Sequence, residues 1–138
     1  MSFAKEPPCD HARRPTTGVL IVNLGTPQAP TASALRRYLG QFLSDPRVVE
    51  IPRLIWKPIL HGIILRVRPA KSALKYASIW MPEGSPLRVW TERQGTLLQG
   101  YMGERGHRVI VQWAVRYGEP CIASQLTASQ AEGATRVL

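Results

Sequence analysis

The chain has 138 residues, enough for one domain with a real hydrophobic core, and its apolar content of 44% is that of an ordinary globular protein. Lysine and arginine (18) outnumber aspartate and glutamate (9), which gives a net charge of +9. Two isolated cysteines, Cys9 and Cys121, argue against a disulfide framework and favour a reducing, cytoplasmic compartment. No stretch has the apolar core of a signal peptide or the roughly 20 mostly apolar residues of a membrane span.

The first 25 residues predict a tail and then a strand. Met1 to Thr17 is polar and contains prolines, so we expect a disordered lead-in to a domain that covers residues 18–138. Val19 to Val22 is an unbroken apolar run, which predicts a strand buried on both faces in a parallel sheet covered by helices. Ligands of such sheets bind beyond the carboxyl ends of the strands, so the turn Asn23 to Pro27 is the first candidate site.

Helical spacing of apolar residues predicts the elements that follow. A first helix starts within Pro30 to Ser33 and ends near Ser44. Its apolar face follows the i, i+3, i+4, i+7 pattern: Leu35, Tyr38, Leu39 and Phe42. Val48 to Ile51 and Leu54 to Leu65 form a second apolar region, whose two prolines, Pro52 and Pro58, predict a short or kinked helix over Leu54 to Leu65. A separate short helix is expected over Ala70 to Ile79.

The second half of the chain repeats the alternation of helix and strand. Thr91 to Gln94 has the pattern of a capping box, which predicts a helix that starts there. Val109 to Val115 predicts a second strand, and Ile122 to Glu132 predicts a helix with a left-handed cap at Gly133. Thr135 to Leu138 has the pattern of one more strand, so we expect the front part of a longer α/β protein.

Basic residues are concentrated between Arg47 and Lys75, where there are seven of them and one acid, Glu50. That interval favours an anionic small molecule, a nucleic acid or an acidic lipid surface as partner, although a solvated basic face explains the charge equally well. The apolar stretch Ile51 to Val67 is interrupted by prolines and charges. It cannot span a bilayer but can lie on the surface of one.

Few residues could carry metal or nucleophilic chemistry. Cys9, Asp10 and His11 form the only local cluster of metal-binding residue types, and they lack the spacing of a closed zinc site. His61 and His107 are interpreted as histidines that are either at the surface or satisfied by hydrogen bonds, and not as ligands. The turn after the first strand has neither the glycine fingerprint of a dinucleotide site nor the lysine of a P-loop, so we expect no resident metal and no nucleotide.

Polar groups at later turns suit a flat, apolar ligand with carboxylate arms. Ser85 offers a hydroxyl in a tight turn, Arg116 a permanent cation with a planar fork of donors, and Tyr117 an aromatic face with a polar tip. Arg68 and Lys71 add two more cations. Each of these turns is equally well explained as a connection without a ligand.

Five segments resemble the N-terminal part of bacterial ferrochelatases, in the order and spacing of that family. They are Gly18 to Pro27, Phe42 to Pro52, Ile55 to Leu65, Gly84 to Pro86 and Arg116 to Pro120. The resemblance implies a Rossmann-like, chelatase-type α/β domain, truncated here and without the family's second domain. It also implies insertion of ferrous iron into protoporphyrin IX to form protohaem, the last step of haem biosynthesis, with iron as a substrate and no permanently bound cofactor.

The resemblance also implies roles for single residues. Leu24 matches the position beneath the porphyrin plane, where other members have Met or Tyr; a leucine cannot be an axial ligand, so its role would be packing and distortion of the ring. Arg68, Lys71 and Ser85 match positions that hold the porphyrin propionates. Arg116 and Tyr117 match a pair on the side where the metal enters.

Two further implications concern the membrane and catalysis. Ile51 to Val67 matches an apolar lip, which makes peripheral membrane contact an expectation. The family's catalytic histidine and its partner glutamate belong to segments that this chain does not contain, and neither His61 nor His107 matches the histidine motif. We therefore expect the 138-residue chain alone to be inactive as a chelatase.

Two other classes of function compete with the enzyme. A non-catalytic porphyrin- or haem-binding module would use the same pocket residues. A basic RNA-binding protein is suggested by the charge alone, but the chain lacks exposed aromatic residues among the basic ones and any signature of an RNA-recognition fold, so we expect no nucleic-acid partner.

Overall fold

Residues 14–138, which the computed structural model describes, form a three-stranded parallel sheet flanked by helices, and the predicted α/β class is confirmed. The strand order is β2-β1-β3, with β1 at Thr17–Gly25, β2 at Val109–Tyr117 and β3 at Arg136–Val137. Most of the predicted lead-in and the Cys9 to His11 cluster lie outside the described residues. Thr17, the last residue of that lead-in, already belongs to β1.

The prediction that β1 is buried on both faces is wrong. Val19, Leu20 and Ile21 are only partly buried. Val22 and Leu24 are each 48% exposed. β2 pairs with β1 from Thr17 to Gly25, whereas β3 pairs with Thr17 and Gly18 at the start of the strand. Within residues 14–138, the carboxyl end of β1 therefore lacks the side-chain cover that a second neighbouring strand gives.

The first helix agrees with the prediction. α1 spans Ala32–Leu43, and the side chain of Thr31 accepts a hydrogen bond from the Ala34 backbone N–H as its N-cap. Leu35, Tyr38 and Leu39 are buried on its inner face, as the spacing predicts.

The kinked helix and the short helix after it are one continuous helical segment. It consists of α2 at Arg53–Ile59, a π-helical turn at Leu60–Ile64 and α3 at Leu65–Ile79, so the predicted start at Ala70 is wrong. Pro69 lies inside α3 and leaves the carbonyl of Leu65, four residues earlier, without its usual helical donor. Arg36 of α1 supplies the missing donor, because its Nε lies 3.0 Å from the Leu65 oxygen.

The fourth helix starts earlier than the capping-box pattern predicts. α4 spans Pro86–Glu104, and Ser85 is its N-cap, accepting from the Arg88 N–H at 3.3 Å. A serine followed by proline at the first helical position is a stronger start signal, and it places Thr91 inside the helix. α5 spans Ile122–Ala131 and is followed by Gly133 at φ +101°, as predicted.

The main core lies between α1, the α2–α3 segment and the end of β2. Its buried apolar residues come from all three: Leu35, Tyr38, Leu39, Leu43, Leu60, Leu65, Ala73 and Tyr117. This core fixes the carboxyl end of β2 against the loop that follows α1, and that junction is where the candidate site begins.

Candidate functional site

The carboxyl ends of β1 and β2 lie side by side and form the edge where a ligand of such a sheet is expected. Gly25 is paired with Tyr117, and a Cβ atom at Gly25 would lie 2.1 Å from the Tyr117 carbonyl oxygen. Gly25 also has φ +133°, a conformation that disfavours any side chain. The hydroxyl of Tyr38 donates to the Gly25 oxygen at 3.2 Å. Glycine at this position thus allows the end of β1 to lie directly against the Tyr117 backbone of β2.

Leu24 is presented at the surface by a strand end that is tied to α4. Asn23 accepts a hydrogen bond from the Leu24 N–H at 2.8 Å and donates from Nδ2 to Thr91 Oγ1 at 3.0 Å. Thr91 is 1% exposed and donates to the Leu87 carbonyl at 2.7 Å. The position of Leu24 is therefore set by a contact across 68 residues of sequence.

Arg116 and Tyr117 meet a carboxylate that the sequence did not single out. Asp45 Oδ2 accepts from the Tyr117 hydroxyl at 2.8 Å and from Arg116 Nη2 at 3.0 Å, while Oδ1 accepts from the Arg47 backbone N–H at 2.9 Å. The Arg47 N–H, the Tyr117 phenol and the Arg116 guanidinium stabilise the carboxylate and lower the pKa of Asp45 to about 2. The only signal for Asp45 in the sequence is its position just after a predicted helix.

Two clefts open at this edge. The larger, of about 610 Å³, contains Asp45, Arg116 and Tyr117 in its wall, and the smaller, of about 440 Å³, contains Thr26, Tyr38 and Gly118. Gln41 and Cys121 line both clefts, so they adjoin.

Both histidines within residues 14–138 are exposed, which agrees with the surface alternative: His61 lies in the π-helical turn and His107 in the loop before β2. Within residues 14–138, no group of three or more His, Cys, Asp or Glu side chains is arranged to hold a metal ion.

Apolar and basic residues share the outer face of the α2–α3 segment, which we call the α2–α3 surface. Its most exposed apolar side chains are Leu54 at 91%, Leu74 at 76% and Ile63 at 60%. The basic residues of the segment are exposed on it or beside it: Arg53, Lys57, Arg66, Arg68, Lys71 and Lys75. No helix among the described residues is both long and apolar enough to cross a membrane.

Comparison with known proteins identifies the family. The family model described as ferrochelatase matches residues 16–138. The chain belongs to the ferrochelatase family. It is 66% identical to a ferrochelatase of Polaromonas sp. (strain JS666) over 142 residues and 64% identical to one of Methylibium petroleiphilum over 138 residues. These matches cover 100% of this chain but 39% and 38% of the two relatives. The chain thus spans about two-fifths of the length of the curated ferrochelatases it matches.

The resemblance to ferrochelatases is therefore confirmed, while the roles of its site residues stay predictions. Arg68 and Lys71 are exposed on α3, and neither lines the two clefts at the sheet edge. Ser85 is 1% exposed and its oxygen already accepts from the Arg88 N–H. The structure brings Arg116 and Tyr117 together and places Tyr117 beside Gly25, one residue after Leu24.

Proposed function

We propose that this chain takes part in the insertion of ferrous iron into protoporphyrin IX to form protohaem, the last step of haem biosynthesis, and contributes the surface that holds the porphyrin. The observation that carries the proposal is the junction of β1 and β2. An exposed apolar side chain, Leu24, lies one residue from the Gly25–Tyr117 pair, at the edge where open parallel sheets bind ligands. The family match over residues 16–138 supports the same reaction.

Leu24 packs against the face of the macrocycle in this proposal. It has no lone pair to offer iron, so it acts through shape. Binding energy from the rest of the porphyrin can offset the cost of bending the ring, and bending exposes the pyrrole nitrogen lone pairs to the incoming metal. Asn23 and Thr91, which fix the end of β1, keep Leu24 in place against that force.

The propionates of the porphyrin are assigned to the cations on α3. Among residues 14–138 neither Arg68 nor Lys71 makes an ion pair, whereas Arg116 is paired with Asp45. Free cations are better partners for carboxylates, because binding does not first require an existing ion pair to break. Ser85 is 1% exposed and its oxygen caps α4, so its hydroxyl would donate to a propionate only after the residues that cover it move.

Porphyrin titration tests the binding role. The Soret band of protoporphyrin IX should shift on addition of the 138-residue chain, and Leu24→Asp should weaken binding about tenfold or more, because a carboxylate cannot be buried against the ring. Leu97→Asp is the matched control, since Leu97 is 73% exposed on α4. Equal affinity of the two variants would contradict the proposed position of the porphyrin.

The 138-residue chain alone should not insert iron. The family's proton-accepting histidine has no counterpart in His61 or His107, and both are exposed. We expect no turnover when the purified chain is mixed with ferrous iron and protoporphyrin IX, with the full-length Polaromonas ferrochelatase as positive control. Turnover at the rate of that relative would refute this assignment.

The α2–α3 surface contacts an anionic bilayer in the same proposal, and the porphyrin enters across it. Exposed aliphatic side chains next to a row of cations are the pattern of a segment that lies in the headgroup region, where each basic residue adds about 1 kcal/mol. The chain should sediment with vesicles that contain phosphatidylglycerol and not with pure phosphatidylcholine at physiological salt. Ile63→Asp should abolish sedimentation, and Leu97→Asp should not.

A further inference from the structure

Asp45 joins two parts of the chain that are far apart in sequence. One carboxylate oxygen holds the turn after α1 through the Arg47 N–H. The other accepts from Tyr117 and Arg116, which are 72 and 71 residues away. The Asp45 side chain is only 16% exposed although it lies in a loop. The Asp45 carboxylate therefore connects the two parts, because its removal would leave polar groups of both without a hydrogen-bond partner.

The contacts of Asp45 close a triangle around Arg116 and Tyr117. Arg116 Nε lies 3.2 Å from the Tyr117 hydroxyl, and the guanidinium carbon lies 5.5 Å from the centre of the Tyr117 ring. Phe42 meets the same ring edge-on, with centroids 5.2 Å apart. The ring is thereby held by packing. Arg116, which is 38% exposed, is held in this triangle by Asp45 and the Tyr117 hydroxyl.

We propose that Asp45 is a positioning residue for Arg116 and Tyr117. It keeps the guanidinium against the phenol in the wall of the 610 Å³ cleft, so the cleft presents an oriented and charge-balanced pair. Because Asp45 compensates the charge of Arg116, this wall of the cleft is suited to the edge of a neutral aromatic ring. The propionate carboxylates would bind instead to the unpaired cations of α3. The inference rests on the proposed porphyrin site.

Nuclear magnetic resonance of arginine side chains tests the positioning without any ligand. In the wild-type chain, the Arg116 Nε–H signal, assigned by its loss in Arg116→Lys, should exchange with water more slowly than the signals of exposed arginines. In Asp45→Asn it should exchange faster than in the wild type, because the guanidinium loses the Asp45 contact at Nη2 and Nε–H keeps only the Tyr117 hydroxyl as partner. Wild-type exchange as fast as that of an exposed arginine would overturn the proposal. This result needs only the assignment variant Arg116→Lys, which keeps the positive charge, to fold.

Porphyrin affinity gives the second measurement. Asp45→Asn should bind protoporphyrin IX about five- to tenfold more weakly. Arg116 is no longer held by Asp45 in this variant, so the cost of ordering its side chain is added to the free energy of binding. Glu50→Gln is the matched control, since it removes the same charge from an exposed position in the same loop. Equal losses in the two variants would mean a general charge effect and overturn the proposal. A wild-type chain that binds no porphyrin would refute the proposed function, while the exchange rate of Arg116 would still decide the role of Asp45.

Discussion

The α2–α3 segment has apolar side chains on two faces, and only one of them is buried. Leu60, Leu65 and Ala73 pack with α1 in the core and are at most 8% exposed. Leu54 and Leu74, on the outer face, are 91% and 76% exposed. Apolar spacing alone does not separate the two faces. The comparison shows that apolar residues beyond those that the core requires can mark an interaction surface, and here they coincide with the densest run of cations.

The largest expected difference in the free energy of unfolding is between substitutions at two glycines, one packed at the junction of β1 and β2 and one on the exposed surface. Gly25→Ala would drive a Cβ atom to 2.1 Å from the Tyr117 oxygen at φ +133°, and we expect a loss of about 4 kcal/mol or more, enough to unfold a domain of ordinary stability. Gly62→Ala meets no atom within 4 Å and lies in the π-helical turn, so it should stabilise the chain by up to about 1 kcal/mol.

Urea unfolding followed by circular dichroism measures both effects. If Gly25→Ala unfolds at the same urea concentration as the wild type, the close packing of β1, β2 and Tyr38 at that point is wrong. If Gly62→Ala is strongly destabilising, the π-helical turn is more constrained than its surroundings indicate.

Leucine truncation gives the next largest difference. Leu35 is fully buried in α1, so Leu35→Ala should cost about 2 to 5 kcal/mol through lost burial and the cavity left behind. Leu54→Ala removes the same atoms from a side chain that is 91% exposed, and we expect a change within about 0.5 kcal/mol. The same urea experiment gives both values. Comparable losses would mean that the α2–α3 surface is covered in solution, which would also contradict its proposed contact with a bilayer.

Local patterns in the sequence predicted what depends on local physics. The start of α1 within Pro30 to Ser33, the spacing along α1 and the left-handed Gly133 are decided within a few residues, and all were predicted. Thr91 was misassigned because its partner, Asn23, lies 68 residues away and its helix had already started at Pro86.

The same limit applies to the candidate site. The resemblance to ferrochelatases pointed to Arg116 and Tyr117, but the hydrogen bonds of Asp45 to both cross more than 70 residues, so no local pattern contains them. The exposure of Leu24 likewise depends on how distant parts of the chain pack around the end of β1, which the apolar content of the strand does not predict.

The smallest expected effect on stability comes from the hydroxyl of Tyr38 in the buried core, and it changes at alkaline pH. Burial, followed by the neighbouring phenols of Tyr76 and Tyr117, raises the pKa of Tyr38 to about 12 from its ordinary value of 10.0. The neutral phenol is therefore favoured in the folded state, so its stabilising contribution is complete below pH 10 and is lost as the pH rises through 12.

Tyr38→Phe should cost about 1 kcal/mol at neutral pH because the Gly25 carbonyl loses its donor. The gap between the variant and the wild type should then shrink above pH 10, since only the wild type must ionise a buried phenol. Urea midpoints of both proteins at several pH values give this gap directly, because the other titrating groups are common to both and cancel. A gap that stays constant into the alkaline range would show that Tyr38 ionises as it does in the unfolded chain, and that the core beneath the candidate site is as open to water as the α2–α3 surface.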